Sequence, residues 1–275
     1  MVYSRVYLEI TNICNKNCSF CHGTKRPPGM LTIDEFEKIT DKLIGITEYL
    51  YFHLMGEPLL HPDLKEFIKS ATAKGFKVAI TTNGTLLSSQ KDMLINSGVY
   101  KISISLHSFE QGSEDEFSDY INSAANFAKQ SSDAGILTVF RLWNEGHDGG
   151  RNAVILDMLK TSLQGEWKSG GKGYRIKNKL HLEFGERFSW PDSDIEDISD
   201  SVFCYGLKDH FGILVDGTVV PCCLDSEGNI PLGNILKDDI NMILRSERAT
   251  NIRQGFINRK PSENLCRKCG YATRF

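Results

Sequence analysis

The chain has 275 residues, of which 40% are hydrophobic and 24% charged, and its formal charge is -3. That length buries a sizeable core and allows one large domain or one domain with an appendage. The near-neutral balance and the lack of a Lys/Arg block leave no electrostatic footprint for nucleic acid, and no run approaches the roughly 20 apolar residues of a membrane helix. Residues 1–10 lack the basic start, apolar run and cleavage site of a secretory signal, which predicts a cytoplasmic protein. In a reducing compartment the eight cysteines point to metal ligation before disulfides.

Strand and helix signals alternate along the first two thirds. Residues 5–10 read as a strand leading into a cysteine loop, and Thr32-Ile33-Asp34-Glu35 forms a capping box before Phe36, Ile39, Leu43 and Ile46 at helical spacing. Residues 49–54 make a second strand, and Pro62 starts a helix with Leu64, Phe67, Ile68 and Ala71 inward that Gly75 closes. Strands at 77–81, 101–106, 136–142 and 179–184 follow, with helices over 88–96, around Phe117–Ala128 and over 153–163 between them. The glycine-rich stretch 165–173 reads as a mobile loop. Six such units predict an α/β fold of parallel strands with right-handed crossovers, a partial (β/α)6 TIM-like barrel with its chemistry at the C-terminal strand ends.

The segment Cys14-Asn15-Lys16-Asn17-Cys18-Ser19-Phe20-Cys21 carries three cysteines at CxxxCxxC spacing, so one short loop can hold three thiolates around one metal centre. Three ligands on a cluster with four metal corners leave one iron open. Structural zinc is the bland alternative, but it requires a fourth donor that ordinary finger spacing does not supply here; His22, adjacent to Cys21, reads as a loop side chain. The spacing resembles the radical S-adenosylmethionine (SAM) enzymes. That resemblance implies that Cys14, Cys18 and Cys21 hold a 4Fe-4S cluster and that the methionine part of SAM binds its open iron. Cleavage of SAM then releases a 5'-deoxyadenosyl radical that abstracts hydrogen from substrate. It also implies the partial barrel already predicted from the strand-helix alternation.

Further cofactor-binding candidates lie at the strand ends. Phe20 fits the aromatic position of the family's motif, near the cluster and the adenine. Met55-Gly56-Glu57-Pro58 resembles the Gly-Gly-Glu-Pro segment that receives the amino group of SAM, with Met55 in place of the first glycine; Gly56 and Glu57 are the matching positions. Ser103, Ser105 and His107 alternate with Ile102, Ile104 and Leu106, so the polar set shares one strand face. Ser105 and His107 are placed near SAM or substrate, against the alternative of an exposed strand face. Arg141, inside the apolar run Val139-Phe140-Arg141-Leu142-Trp143, needs a partner if buried, either the SAM carboxylate or a structural salt bridge. Asn83 and Asn144 follow strands three and five and are weaker candidates, since Asn is common in turns.

Downstream, residues 211–215 and 218–222 form a hairpin around Asp216-Gly217, a type I' turn signal. Cys204 precedes it, Cys222 ends it, Cys266-Arg267-Lys268-Cys269 adds a CxxC pair, and a helix is expected over 239–252. An all-cysteine zinc site is the structural alternative. The pattern resembles the twitch domain, a shortened SPASM extension, which implies a small α+β domain and an auxiliary 4Fe-4S cluster on Cys204, Cys222, Cys266 and Cys269. Cys223 is left over: a substitute ligand, an inert thiol, or a catalytic hydrogen-atom donor as in radical SAM peptide epimerases.

The resemblance divides the chain into a core over 1–191 and a cluster domain over 192–275. It implies an oxidoreductase with SAM and two 4Fe-4S clusters, fed by a low-potential electron donor such as flavodoxin or ferredoxin. The overall pattern is that of the 2-deoxy-scyllo-inosamine dehydrogenase type, with oxidation of a small polyol or aminocyclitol. Modification or epimerisation of a ribosomally made peptide is the competing reading, against which stands the lack of a peptide-binding domain before the first strand. A non-catalytic iron-sulfur or zinc protein is the alternative of another class.

Overall fold

The computed structural model describes residues 2–275. The strands in chain order are β1 (Arg5–Leu8), β2 (Tyr49–Phe52), β3 (Lys77–Thr82), β4 (Lys101–Ser105), β5 (Leu137–Glu145), β6 (Lys168–Gly170), β7 (Gly173–Lys177), β8 (Leu180–Glu186), β9 (His210–Ile213), β10 (Thr218–Val220) and β11 (Gly233–Asn234). Strands β1, β2, β3, β4, β5 and β8 run parallel in that order and form the expected open barrel. Helices α1 (Ile33–Leu43), α2 (Leu64–Ala73), α3 (Leu87–Ile95), α4 (Glu114–Asp133) and α5 (Arg151–Ser162) cross between successive strands.

Alternation within the strands sorts side chains between two environments. Val6, Leu8, Leu50, Phe52, Ile102 and Ile104 are buried against the helices. Arg5, Tyr7, Tyr51, Lys101, Ser105 and Arg141 instead line the barrel's interior. Helix α1 begins as the sequence predicts: Glu35 N donates to Thr32 Oγ1 at 3.2 Å and Thr32 N to Glu35 Oε2 at 2.9 Å. Its Phe36 stacks on Phe67 of α2 with ring centroids 4.2 Å apart, locking the first two crossovers together. A second capping box, Ser113 with Glu116, starts α4.

Three expectations need correction, and one strand pairing is unanticipated. The glycine-rich stretch is an edge hairpin: β6 pairs antiparallel with β7, and β7 with β8. Gly173 makes this possible, because a Cβ there would collide with the Leu182 carbonyl on β8. The helix expected over 239–252 is two helices, α6 (Ile240–Arg245) and α7 (Glu247–Ile257), broken at Ser246, whose hydroxyl caps α7. The β9–β10 turn is not type I', because only Gly217 takes a left-handed φ, at +84°, as Gly217 N bonds back to Leu214 O. Finally, β9 pairs parallel with β1, from Arg5↔His210 to Leu8↔Ile213. The sheet therefore continues past residue 191, with Cys204 before β9 and Cys222 just after β10. A last short helix, α8 (Asn264–Arg267), contains Cys266.

Candidate active site

The cysteine loop leaves the end of β1 and is held from several sides. Ser19 donates through N and Oγ to Glu110, both at 2.6 Å, Arg187 donates to the Ser19 carbonyl at 2.8 Å, and Trp190 Nε1 donates to the Phe20 carbonyl at 2.9 Å. Cys14 and Cys21 are exposed, and Cys18 is half-buried with its Sγ 3.6 Å from the Ser108 carbonyl. Lys16 N donates to Cys14 Sγ and Gly23 N to Cys21 Sγ, each at 3.4 Å. Burial, then Glu110 and the two neighbouring thiols, push Cys18 up to about 12. Three thiolates on one eight-residue loop are the donor set a three-ligand cluster uses.

Gly56, Glu57 and Asn83 support this loop from beneath. Gly56 has φ +77°, and a Cβ there would collide with the Thr11 carbonyl, so the segment closes onto the root of the cysteine loop. Glu57 is buried, and its carboxylate accepts from Leu59 N at 3.0 Å, Thr82 Oγ1 at 2.7 Å and Asn83 N at 2.7 Å. Its side chain is therefore committed to the strand-end turn. Asn83 Nδ2 in turn donates to Asn15 Oδ1 at 2.8 Å and lies 3.8 Å from Cys14 Sγ.

Phe20, Ser105, His107, Arg141 and Cys223 meet around one chamber of about 660 Å³. Phe20 packs on His107 with centroids 4.6 Å apart. His107 Nδ1 lies 3.0 Å from the Arg141 carbonyl, which selects the tautomer with hydrogen on Nδ1 and leaves Nε2 as an acceptor. The Arg141 guanidinium lies 4.5 Å over the Trp143 ring and donates to Thr81 Oγ1 at 3.4 Å. Asn144 is turned aside, accepting from Asn152 Nδ2 at 3.0 Å in an adjacent smaller cavity.

The chamber is also lined by Cys204, Cys222 and Cys269. These three and Cys266 also surround a small apolar void of about 30 Å³ that Cys223 does not reach. Position separates the two neighbours: Cys222 lines the void with the other three cysteines as well as the chamber, whereas Cys223 lines the chamber beside Tyr7. Burial and the neighbouring thiols push Cys222 and Cys266 well up, and Gly206 N donates to Cys204 Sγ at 3.3 Å. Four such sulfurs in an apolar shell fit a fully ligated iron-sulfur cluster. Among the described residues no three His, Cys, Asp or Glu side chains converge tightly enough for a single metal ion.

Sequence reasoning missed much of the chamber, including Tyr7, Tyr51, His53, Lys101, Glu183 and His210. The signal was the polar–apolar alternation in Arg5-Val6-Tyr7-Leu8 and Tyr49-Leu50-Tyr51-Phe52-His53, which marks an inward polar face.

Comparison with known proteins gives these features a common origin. Residues 8–139 match the model of the Radical SAM superfamily, and residues 204–270 match that of an iron-sulfur cluster-binding domain, SPASM. The chain belongs to the radical SAM superfamily. As a radical SAM enzyme it uses SAM and a 4Fe-4S cluster, and its SPASM region adds auxiliary iron-sulfur binding. An AdoMet-dependent heme synthase of Methanosarcina barkeri is 34% identical over 113 residues, 40% of this chain and 32% of that protein. The antilisterial bacteriocin subtilosin biosynthesis protein AlbA of Bacillus subtilis is 26% identical over 96% of this chain and 64% of its own length. The chain therefore spans from about a third to just under two thirds of these relatives. The crystal structure of BtrN in complex with AdoMet and 2-DOIA shares the fold, with TM-score 0.59 and 18% identity over 98% of this chain and 93% of that one. No helix among the described residues is long and apolar enough to cross a membrane.

Three chamber histidines give the radical SAM enzyme a defined acid response. Burial, followed by Arg141, lowers His53 to about 3; burial lowers His107 to about 4; burial, then Arg5, lowers His210 to about 4. Each is neutral when folded and takes a proton more readily when unfolded, at the ordinary histidine value of 6.5. The unfolded chain binds more protons across that window, so stability falls as pH drops from about 6.5 toward about 4. Thermal midpoints measured across it are expected to decline, with a flatter decline in a His53→Gln/His210→Gln variant; equal slopes contradict this assignment.

Proposed function

We propose that this enzyme oxidises a substrate held in the chamber between its two cysteine sets. Cys14, Cys18 and Cys21 would hold the 4Fe-4S cluster that binds SAM, and Cys204, Cys222, Cys266 and Cys269 a second, fully ligated one. When bound, these groups supply a 5'-deoxyadenosyl radical and a one-electron acceptor. The observation that carries the reading is that a single cavity of about 660 Å³ is lined both by Phe20, from the first cysteine loop, and by Cys204, Cys222 and Cys269 of the second set.

The chain's own residues bind, orient and exclude water. Phe20 and His107 form an aromatic pair at the SAM side of the chamber, and His107 stays neutral at physiological pH because of its burial. Tyr7, Tyr51 and Trp143 wall the interior with rings whose polar atoms suit an oxygen-rich or nitrogen-rich ligand. The substrate loses one hydrogen atom, then one electron and one proton, which leaves a carbonyl, an imine or a new bond. A low-potential flavodoxin or ferredoxin would supply the electron that initiates each cycle.

The position of Cys223 favours a second reading, epimerisation or other modification of a peptide. Its thiol faces the chamber rather than the four-cysteine void, where it is placed to return a hydrogen atom to a substrate radical. The likeness to AlbA over 96% of this chain adds weight to it.

Two measurements test these readings. Anaerobic reconstitution is expected to give about eight irons and 5'-deoxyadenosine from SAM with a reductant, against about four irons and no cleavage in a Cys14→Ala/Cys18→Ala/Cys21→Ala variant. Zinc without SAM cleavage would refute both readings. Cys223→Ala should keep both clusters, SAM cleavage and product if the reaction is an oxidation; loss of product alone would establish the hydrogen-donor role instead.

A further inference from the structure

The floor of the chamber holds more positive charge than the protein neutralises. Arg5, Lys101 and Arg141 all line it. Arg5 is paired with Asp209 at 2.9 Å. Among the described residues, neither Lys101 nor Arg141 has a carboxylate within the 4.0 Å of an ion pair. Glu183, the register partner of Arg141 across β5 and β8, is the acid whose field reaches both. One carboxylate thus serves two cations, and the neighbouring His53, His107 and His210 are neutral.

Hydrogen bonding shows the same deficit. Arg141 is steadied by Thr81 and by the Trp143 ring, yet its enclosed Nε has no partner among the described residues. The enclosed Nε of Arg5, on strand β1, likewise makes no hydrogen bond among the described residues. Enclosed donors and unpaired buried charges are costly unless something satisfies them. The Arg141 guanidinium also faces Tyr7, Tyr51 and Cys223 along the barrel interior. It therefore lines the chamber in which the proposed function places the substrate.

We infer that Lys101 and Arg141 form an anion-binding floor and that the substrate presents a carboxylate or phosphate to it. The planar guanidinium takes either group through two parallel hydrogen bonds, and the ammonium adds a point charge beside it. The inference deepens the proposed function, because it rests on reading the chamber as the substrate site. It also selects among substrates: an amine-bearing ring with no acidic group would add a third cation to an already unbalanced floor.

The test needs no turnover, so failed SAM cleavage would not be confused with failed anion binding. Reconstituted holoprotein with SAM bound is titrated with glutarate and with glycerol 2-phosphate, beside neutral glutaramide and glycerol, while the thermal midpoint is followed. At least one anion is expected to raise the midpoint in a saturable way, the neutral pair is not, and the more effective anion identifies the acidic group. Arg141→Met and Lys101→Met should each abolish the anion shift while leaving the basal midpoint no lower, since each removes an unpaired buried charge. Arg141→Lys, a milder change, should retain part of the shift. Equal shifts from anions and neutral controls would overturn the inference, as would anion shifts that persist in both Met variants. A loss of about tenfold in SAM affinity in Arg141→Met, with the anion shift intact, would return Arg141 to the SAM carboxylate.

Discussion

The parallel ladder between β1 and β9 is the constraint on which the site depends. It fixes Arg5–Leu8 against His210–Ile213, so the strand that leads to the first cysteine loop is also the strand that seats the C-terminal hairpin. Glu9 locks the end of that ladder. Its buried carboxylate accepts from Arg26 Nη2 at 2.6 Å, just beyond the cysteine loop, and from Val215 N at 2.9 Å in the hairpin turn. Arg26 Nε also donates to the Ser226 carbonyl at 2.7 Å, beyond the second cysteine pair. Removing one partner of such a buried pair costs about 3–5 kcal/mol, because the other charge is left uncompensated. One ion pair therefore joins strand, loop and hairpin, and with them the two cysteine sites.

From that joint follows the shape of the chamber. The inward faces of a parallel barrel are ordinarily filled with branched apolar side chains. Here they carry arginine, lysine, histidine and tyrosine, and the space between them stays open. The apolar half of the alternation is spent against the helices, where Phe36, Phe67, Phe117 and Phe127 are fully buried. Stability is thus concentrated outside the sheet, which leaves the interior free for polar chemistry. Keeping three histidines neutral beside two arginines limits the positive charge there but does not cancel it.

Much of this was legible where the signal was local. The Thr32–Glu35 capping box and the helical stripe of α4 each depend on residues close in sequence, and each appears in the structure as read. What was not legible depends on distant pairing. Nothing in residues 165–173 announces that Gly173 will lie against β8, since its glycine serves a close backbone approach rather than a turn. Nor does local periodicity reveal that β9 joins β1, a contact spanning more than two hundred residues. The two adjacent thiols Cys222 and Cys223 are chemically identical in sequence, and only the course of the chain after β10 turns one toward the void and the other toward the chamber. Gly56 and Glu57 were found through their motif, yet their observed contacts are those of a brace for the cysteine loop.

The central proposal is that two different cysteine sites, one with an open position and one closed, serve the same chamber, which Phe20 of the first loop and Cys204, Cys222 and Cys269 of the second set line. Electron paramagnetic resonance of the reduced, reconstituted protein with and without SAM tests it most directly. The account predicts two signals, of which SAM perturbs one, and that one is missing from the Cys14→Ala/Cys18→Ala/Cys21→Ala variant. A single signal, or a SAM-sensitive signal that survives in the variant, would contradict it.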